Sequence, residues 1–169
     1  MSEITSSELY AAIEDKLCAY FGVTSETATD EQGIKYTLNQ NSTDYSVYYS
    51  TSGHTDDLPA EIVIPDAIEG CPVTTISRNS FNDCTNLTKV TFSAGLTSIN
   101  FSAFSGCIKL KEFVSLITQP TWSSVDKEIY ERAHVIIPAG TLEAYLAVGG
   151  WNSFLLFEEG QEVVDYERT

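Results

Sequence analysis

Few residues in this chain have the side chains on which catalytic and metal sites are usually built. The chain has two histidines, His54 and His134, and four cysteines. His54 lies close to Asp56 and Asp57, and imidazole and carboxylate groups are zinc ligands. Their spacing is irregular and the surrounding loop offers no rigid frame, which a metal site requires. We therefore predict no metal site there.

The four cysteines do not contain a C-x-x-C pair, so the sequence does not predict a zinc ribbon. An even number of cysteines permits disulfides in an oxidising compartment without requiring them. Cys84 and Cys107 lie 23 residues apart at equivalent positions of a repeat, and stacked repeats would bring them near disulfide distance. We predict instead two buried thiols that act as small apolar side chains. Neither is expected to be a nucleophile, because no basic residue is placed beside it.

Motifs that indicate enzymes are missing from the sequence. It contains no G-x-S-x-G nucleophile elbow. It also lacks a glycine-rich loop followed by lysine, the pattern that binds nucleotide phosphates. We therefore predict no catalytic residue, no cofactor and no enzymatic activity.

Composition limits the classes of partner. The chain has 169 residues, of which 43% are hydrophobic, and a net charge of −15. An acidic protein repels nucleic-acid phosphates and anionic lipid surfaces, and no apolar stretch approaches the roughly 20 residues of a membrane span. The start, MSEIT, is acidic and polar and does not fit a secretory signal. Two explanations stay open: a cytoplasmic start, or a leader that has been removed.

The N-terminal region predicts a helix and a linker over residues 1–32. Leu9, Ile13 and Leu17 recur every four residues and form one apolar stripe of a helix. The polar residues 23–32 predict the linker. We expect the helix to pack on the rest of the chain, and docking onto another chain is the alternative.

Residues 33–59 predict a β-hairpin that covers the start of the repeats. Apolar residues alternate with polar ones in two short segments separated by turn-forming residues. The alternating residues are Ile34, Tyr36 and Leu38 in the first segment and Tyr45, Val47 and Tyr49 in the second. Tyr48 is the tyrosine of this hairpin that we expect to be exposed for binding.

The middle of the chain repeats itself every 23 residues, within the range of roughly 20–29 residues typical of leucine-rich repeats. Five apolar positions match at this single spacing, which is improbable by chance. The matched pairs are Ile76 and Ile99, Phe81 and Phe104, Cys84 and Cys107, Leu87 and Leu110, and Val90 and Phe113. Partial units lie on both sides, where Ile62 matches Val90 at a longer spacing and Val135 matches Phe113 at a slightly shorter one.

These residues resemble the BspA-like leucine-rich repeats, also called the Treponema pallidum type. The resemblance covers about residues 60–158 and departs from the usual pattern at Ser80, where the family carries Ala, and at Ser115-Leu116-Ile117. The residues that carry it are Ile64-Pro65, Ile68, Gly70, Pro72-Val73-Thr74, Ile76, Phe81, Cys84, Leu87 and Val90, with Val135 to Tyr145, Gly150-Trp151 and Phe154 at the terminus. The resemblance implies an α+β solenoid in which each unit adds one strand to a parallel sheet. It also implies surface or secreted proteins of host-associated bacteria, active in adhesion and protein binding.

Alternation along the strands predicts which side chains face the core and which face outward. The inward set is Ile62, Ile64, Val90, Phe92, Phe113, Val135 and Ile137. The outward set forms two rows, one charged with Glu61, Lys89, Glu112 and His134, and one largely apolar with Val63, Thr91, Val114 and Ile136. We predict these eight residues as the binding face, and ordinary surface decoration of a sheet is the alternative.

The repeats span residues 60–138, and residues 139–169 form a C-terminal cap and tail. We predict a short helix over Leu142–Val148, with Thr141 as its N-cap and Gly149-Gly150 as its stop. Trp151, Phe154 and Phe157 are then expected to cover the last unit.

Two functions fit the sequence. The first is a non-catalytic module that binds a protein or a glycan, in adhesion or host interaction at a bacterial surface. The second is a structural or assembly subunit, of a virion or a surface appendage, that docks through its N-terminal helix. Nucleic acid and membrane insertion are not expected, and the sequence does not predict an oligomeric state.

Overall fold

The computed structural model describes residues 27–39, 45–47 and 58–160. The predicted N-terminal helix, Tyr48 and the His54 loop lie outside these residues. The strands are β1 (Thr27–Thr29), β2 (Lys35–Leu38), β3 (Tyr45–Val47), β4 (Glu61–Ile64), β5 (Ala67–Ile68), β6 (Cys71–Ile76), β7 (Lys89–Phe92), β8 (Ser98–Ile99), β9 (Glu112–Ser115), β10 (His134–Ile137) and β11 (Leu156–Glu159). The helices are α1 (Lys127–Arg132), α2 (Leu142–Leu146) and a 3₁₀ turn (Trp151–Ser153).

The repeats build a five-stranded parallel sheet in the order β11, β10, β9, β7, β4. Ile62 pairs with Val90, Val90 with Phe113, and Phe113 with Val135, which confirms the matched positions read from the sequence. The unequal spacings of the full and partial units therefore lead to one register. The loops absorb the difference, because a sheet register cannot shift by one residue without turning every inward side chain outward.

The second sheet runs in the order β1, β2, β3, β6, β5, and β8 also pairs with β6. The hairpin of β2 and β3 is confirmed, since the two strands pair antiparallel. The linker predicted over residues 23–32 is wrong at Thr27–Thr29, which forms β1 and pairs antiparallel with β2. Threonine is β-branched and favours strands, so the polar composition of this segment hid a strand that pairing with β2 completes.

The core combines many buried Ile, Leu and Val side chains with a group of aromatic rings that contact one another. Phe81 and Phe104 stack with ring centroids 5.2 Å apart and an interplanar angle of 6°, as the repeat predicted. Phe92 and Phe113, on the neighbouring strands β7 and β9, also stack with ring centroids 5.2 Å apart. The predicted inward set is buried throughout. Each such side chain contributes about 1.5–3 kcal/mol of burial free energy.

The loops of successive units repeat the same backbone conformation as well as the same side chains. Asn79 and Ser102, which are equivalent in the repeat, both have positive φ, at 59° and 56°. Asp83 and Gly106 form a second equivalent pair, at 59° and 75°. A Cβ on Gly106 would overlap the Asp83 carboxylate. Each loop therefore contains two residues in the left-handed region, which Asn, Asp and Gly adopt at lower energetic cost than other residues.

The C-terminal end departs in detail from the prediction. Helix α2 ends at Leu146, two residues before Val148. Thr141 does precede the helix, but its hydroxyl donates to the Pro138 carbonyl at 2.6 Å and makes no capping hydrogen bond. Trp151 and Phe154 are buried, and Phe154 packs edge-on against Phe113 with ring centroids 5.7 Å apart. The aromatic residues therefore cover the end of the core.

Helix α1 and strand β11 are among the elements that were not predicted from the sequence. Helix α1 precedes β10, and its Arg132 donates to the carbonyls of Leu110 and Cys107 at 2.9 and 2.6 Å. Strand β11 adds a fifth strand beyond the last predicted one. Within the described ranges, no helix has the length and apolar character needed to span a membrane.

Candidate binding surface

The eight outward residues predicted as a binding face lie on one side of the five-stranded sheet, which we call the outward face. Neighbouring strands bring Glu61 beside Lys89, Lys89 beside Glu112, and Glu112 beside His134. The companion row is aligned in the same way, with Val63, Thr91, Val114 and Ile136 as successive partners. The register of the inward residues positions both rows, because successive side chains of a strand point to opposite sides.

The charged row contains paired charges. Lys89 Nζ lies 3.1 Å from Glu112 Oε1, and about a third of each side chain is exposed. The hydrogen bond to Glu112, its charge and the charge of Glu61 raise the pKa of Lys89. Lys89 therefore stays protonated at neutral pH and interacts with acids on both neighbouring strands.

His134 lies beside Glu112 in the sheet register but contacts an acid on its other neighbouring strand. Its Nε2 lies 3.3 Å from Glu158 Oε2 on strand β11. Glu158 pairs with Ile136 in the sheet register, so it extends the apolar row by one acidic position. Glu158 was not predicted from the sequence, although Phe157 follows Val135 at the same spacing at which Val135 follows Phe113.

The residues of the largely apolar row differ in how far they are exposed to solvent. Val63 on the edge strand β4 is 52% exposed, while Thr91, Val114 and Ile136 are half-buried by their neighbours. A partly exposed, largely apolar row beside a row of paired charges resembles the composition of a protein interface, where an apolar centre has a polar rim.

The cysteines provide packing rather than reactivity. Cys84 and Cys107 are both buried free thiols, as predicted. Cys107 Sγ donates to the Phe81 carbonyl at 3.0 Å, and a hydrogen bond with Cys84 together with burial raises the pKa of Cys107. A thiol that stays protonated is a poor nucleophile. Cys71 is buried and disulfide-bonded.

The part of the chain that the structure describes holds no group of three or more His, Cys, Asp or Glu side chains placed to bind a metal ion. A cavity of about 210 Å³ lies between the loop at Ser105 and helix α1. Its Arg132 is held by the two backbone carbonyls of the preceding unit. Asp126 and Glu128 are the acidic residues that line this cavity.

Comparisons with known proteins agree with this architecture. The family described as BspA type leucine rich repeat region (6 copies) matches residues 60–133. A search of curated proteins found no match. A leucine-rich repeat protein from Bacteroides capillosus, solved by crystallography, is similar over 80% of this chain and 100% of its own, with 18% identity and a TM-score of 0.53.

Two further crystal structures have lower similarity. The leucine-rich repeat protein of T. pallidum shares 14% identity over 69% of this chain and 67% of its own, with a TM-score of 0.46. A leucine-rich cell surface protein from Faecalibacterium prausnitzii shares 19% identity over 69% of this chain and 38% of its own, with a TM-score of 0.47. The family match covers the strands that carry the repeat up to the start of β10. Residues 60–133, fewer than half of the chain, match the BspA-type leucine-rich repeat family.

Proposed function

We propose that this protein is a non-catalytic binding module whose outward face contacts a protein or glycan partner. The observation that carries the proposal is the register of the five-stranded sheet, which aligns a charged row and an apolar row on one surface. BspA-type repeats generally mediate interactions, which supports the same role. The pair formed by Lys89 and Glu112 is partly exposed, so it contributes only modestly to stability and a partner can compete for either charge.

We propose further that the protein acts at a bacterial surface or after secretion, in adhesion or host interaction. Family resemblance supports this location. The disulfide at Cys71 supports it as well, because disulfides persist in oxidising compartments. The alternative of an assembly subunit docking through its N-terminal helix gains no support from the described residues, since that segment lies outside them.

Charge reversal at Lys89 tests the binding face. Partners are first isolated by pull-down from host proteins and glycans, and their affinity is then measured for each variant. Lys89→Glu places three acids in adjacent positions of the charged row. It should weaken binding about tenfold or more, equivalent to about 1.4 kcal/mol, while the protein stays folded under the assay conditions. Like charges on neighbouring strands should lower the unfolding midpoint slightly, and a melt of the variant checks that it is folded.

Lys127→Glu is the matched control. Lys127 also pairs with a glutamate, Glu131, at 3.5 Å, but it lies on helix α1 with 83% of its side chain exposed. This variant should bind as the wild type does. Unchanged affinity of Lys89→Glu, or an equal loss in Lys127→Glu, would reject the outward face as the binding surface.

A further inference from the structure

The two edges of the five-stranded sheet differ in what lies beside them. At β4, the side-chain amide of Gln32 hydrogen-bonds to both backbone groups of Val63. At the opposite edge, β11 pairs with β10, and no other strand of the described residues pairs with it. The free side of an edge strand carries N–H and C=O groups that can pair with another chain. Within the described residues, β11 therefore has a side on which a strand can be added.

The backbone groups on this side follow from the pairing with β10. The Gly160 N–H donates to the Ile137 carbonyl at 2.7 Å. Because the N–H groups of successive strand residues point to opposite sides, the Glu158 N–H also points toward β10. The N–H groups of Phe157 and Glu159 point to the free side. These two residues are thus placed to exchange backbone hydrogen bonds with an added strand.

Apolar side chains are exposed at the start of the same strand. Leu155 is 70% exposed and Leu156 is 50% exposed. Leu156 lies beside His134 in the register, so an added strand would contact it on the side away from β10. Adjacent exposed apolar side chains with polar neighbours are typical of surfaces that another molecule covers. Residues on an added strand would bury part of Leu156 through cross-strand contact.

The acidic end of β11 selects the charge of the added strand. Glu158 Oε2 lies 3.3 Å from His134 Nε2, and Glu159 Oε1 accepts a hydrogen bond from the Leu142 N–H at 3.0 Å. Both side chains are exposed, and each carboxylate has a second oxygen that can pair with a cation. A second copy of β11 would add two more acids and no cation, which is unfavourable. A basic segment would be attracted instead.

We propose that β11 binds an extended segment of a partner protein as an additional strand, and that this segment carries two apolar residues next to two basic ones. The apolar pair lies opposite Leu156 and Phe157, and the basic pair lies opposite Glu158 and Glu159. Backbone hydrogen bonds supply affinity and the side-chain pairs supply specificity. The site uses the edge of the sheet rather than the two rows of the outward face, so it goes beyond the function proposed above.

Amide hydrogen exchange and NMR titration test the proposal. In the free protein, the Phe157 and Glu159 amides should exchange at least about tenfold faster than the Glu158 amide, which β10 protects. The probes are the capped peptides Thr-Ile-Val-Lys-Lys-Thr and Thr-Lys-Lys-Val-Ile-Thr, one for each strand direction. At least one should bind saturably, with a dissociation constant of about 1 mM or below, and should slow exchange at Phe157 and Glu159.

Two modified peptides separate strand addition from attraction between charges. The binding peptide with both lysines replaced by glutamate should not bind, because four acids would then meet at the edge. The same peptide with N-methyl groups on its four central amides keeps both positive charges but loses the N–H donors. It should bind at least about tenfold more weakly, since the added strand then loses its backbone hydrogen bonds.

Charge exchange at Glu158 locates the site. Glu158→Lys should weaken binding about tenfold, and replacing the facing lysine of the peptide by glutamate should restore it. Glu31→Lys, the same change of charge at an exposed position next to Gln32, is the matched control and should alter affinity less than about twofold. Lys89→Glu should also bind the peptide normally, because β7 lies three strands from β11, about 14 Å, beyond the screening length of about 8 Å.

The proposal is overturned if neither peptide binds, or if the N-methylated peptide binds as well as its parent. It is also overturned if the Phe157 and Glu159 amides of the free protein are as protected as the Glu158 amide, since the edge is then already covered. An equal loss in Glu31→Lys would likewise reject the site. Because Lys89→Glu reports on the outward face alone, failure of one site is distinguishable from failure of the other.

Discussion

The side-chain amide of Gln32 pairs with both backbone groups of Val63, as a neighbouring strand would do. Gln32 Nε2 donates to the Val63 carbonyl, and the Val63 N–H donates to Gln32 Oε1, each at 2.8 Å. Asp30 holds the amide in place, since Gln32 Nε2 also donates to Asp30 Oδ2 at 3.0 Å. Val63 lies on β4, the edge of the five-stranded sheet. Gln32 therefore covers a segment of edge that is otherwise open to pairing with another chain.

Gln32→Ala should open this edge. Loss of two exposed hydrogen bonds should reduce the free energy of unfolding by about 1–2 kcal/mol. Hydrogen exchange should accelerate at the Val63 amide, and the protein should self-associate at high concentration. Exchange mass spectrometry and light scattering measure these effects. Glu31→Ala, at the adjacent exposed position, should change neither, and equal exchange in both variants would contradict the role of Gln32.

Truncating a buried ring should cost far more free energy of unfolding than truncating an exposed one. Phe104 is fully buried and contacts Phe81, Phe92 and Phe113. Phe104→Ala should therefore destabilise the fold by about 3–5 kcal/mol, measured by chemical denaturation. Phe101→Ala removes a ring that is 55% exposed and lies 5.3 Å below the Arg78 guanidinium. Its cost should be only about 0.5 kcal/mol, and similar losses in both variants would contradict the stacked core.

Ser102 offers a site for stabilisation. It occupies the left-handed region at φ 56°, where the equivalent residue of the preceding unit is Asn79. Asparagine tolerates this conformation better than serine because its short amide bonds locally to the backbone. Ser102→Asn should raise the free energy of unfolding by about 0.5–1 kcal/mol. Ser102→Ala, which gains no such bond, should not stabilise, and a thermal melt of the three proteins decides between these outcomes.

Tyr145 should make stability depend on alkaline pH. Burial raises its pKa to about 12, against a partial opposing effect of its hydrogen bond with Ser115. Its hydroxyl also donates to the Ile117 carbonyl at 2.7 Å. Because the unfolded chain loses this proton more readily, the stabilisation is complete below pH 10 and declines between pH 10 and about 12.

Denaturant unfolding over this pH range tests the contribution of Tyr145. Tyr145→Phe should be less stable than the wild type at neutral pH by about 1–3 kcal/mol, since Ile117 and Ser115 lose a buried partner. Its stability should then fall less steeply above pH 10. Some slope should persist, because burial also raises the pKa of Tyr36 and of Tyr130. Identical slopes in both proteins would contradict the assignment.

The repeat made much of the fold predictable. Phe81 and Phe104 stack because equivalent residues of successive units are neighbours in space, so one spacing in the sequence predicted one contact in the core. The outward rows could be predicted for the same reason. The pairing of His134 with Glu158 could not be predicted. Strand β11 follows the last matched unit, and its sequence, Leu-Phe-Glu-Glu, shows no clear alternation of apolar and polar residues.

Strand β1 and helix α1 could not be predicted from the sequence for a different reason. Thr27–Thr29 contains two strand-favouring threonines but is only three residues long and is identified as a strand by its pairing with β2. Helix α1 is only six residues long, too short to form a clear apolar stripe. Segments of this kind take their structure from what they pack against.

The sequence by itself determined the apolar positions that recur from unit to unit, and with them the parallel sheet, its inward residues and its outward rows. These features depend on the spacing of apolar residues along the chain, which can be read directly from the sequence. Tertiary structure alone decided that Gln32 hydrogen-bonds to both backbone groups of Val63 and that the exposed Trp122 packs against Gly149. The physical reason is that such contacts join residues whose separation follows no period, so packing of the whole chain is needed to bring them together.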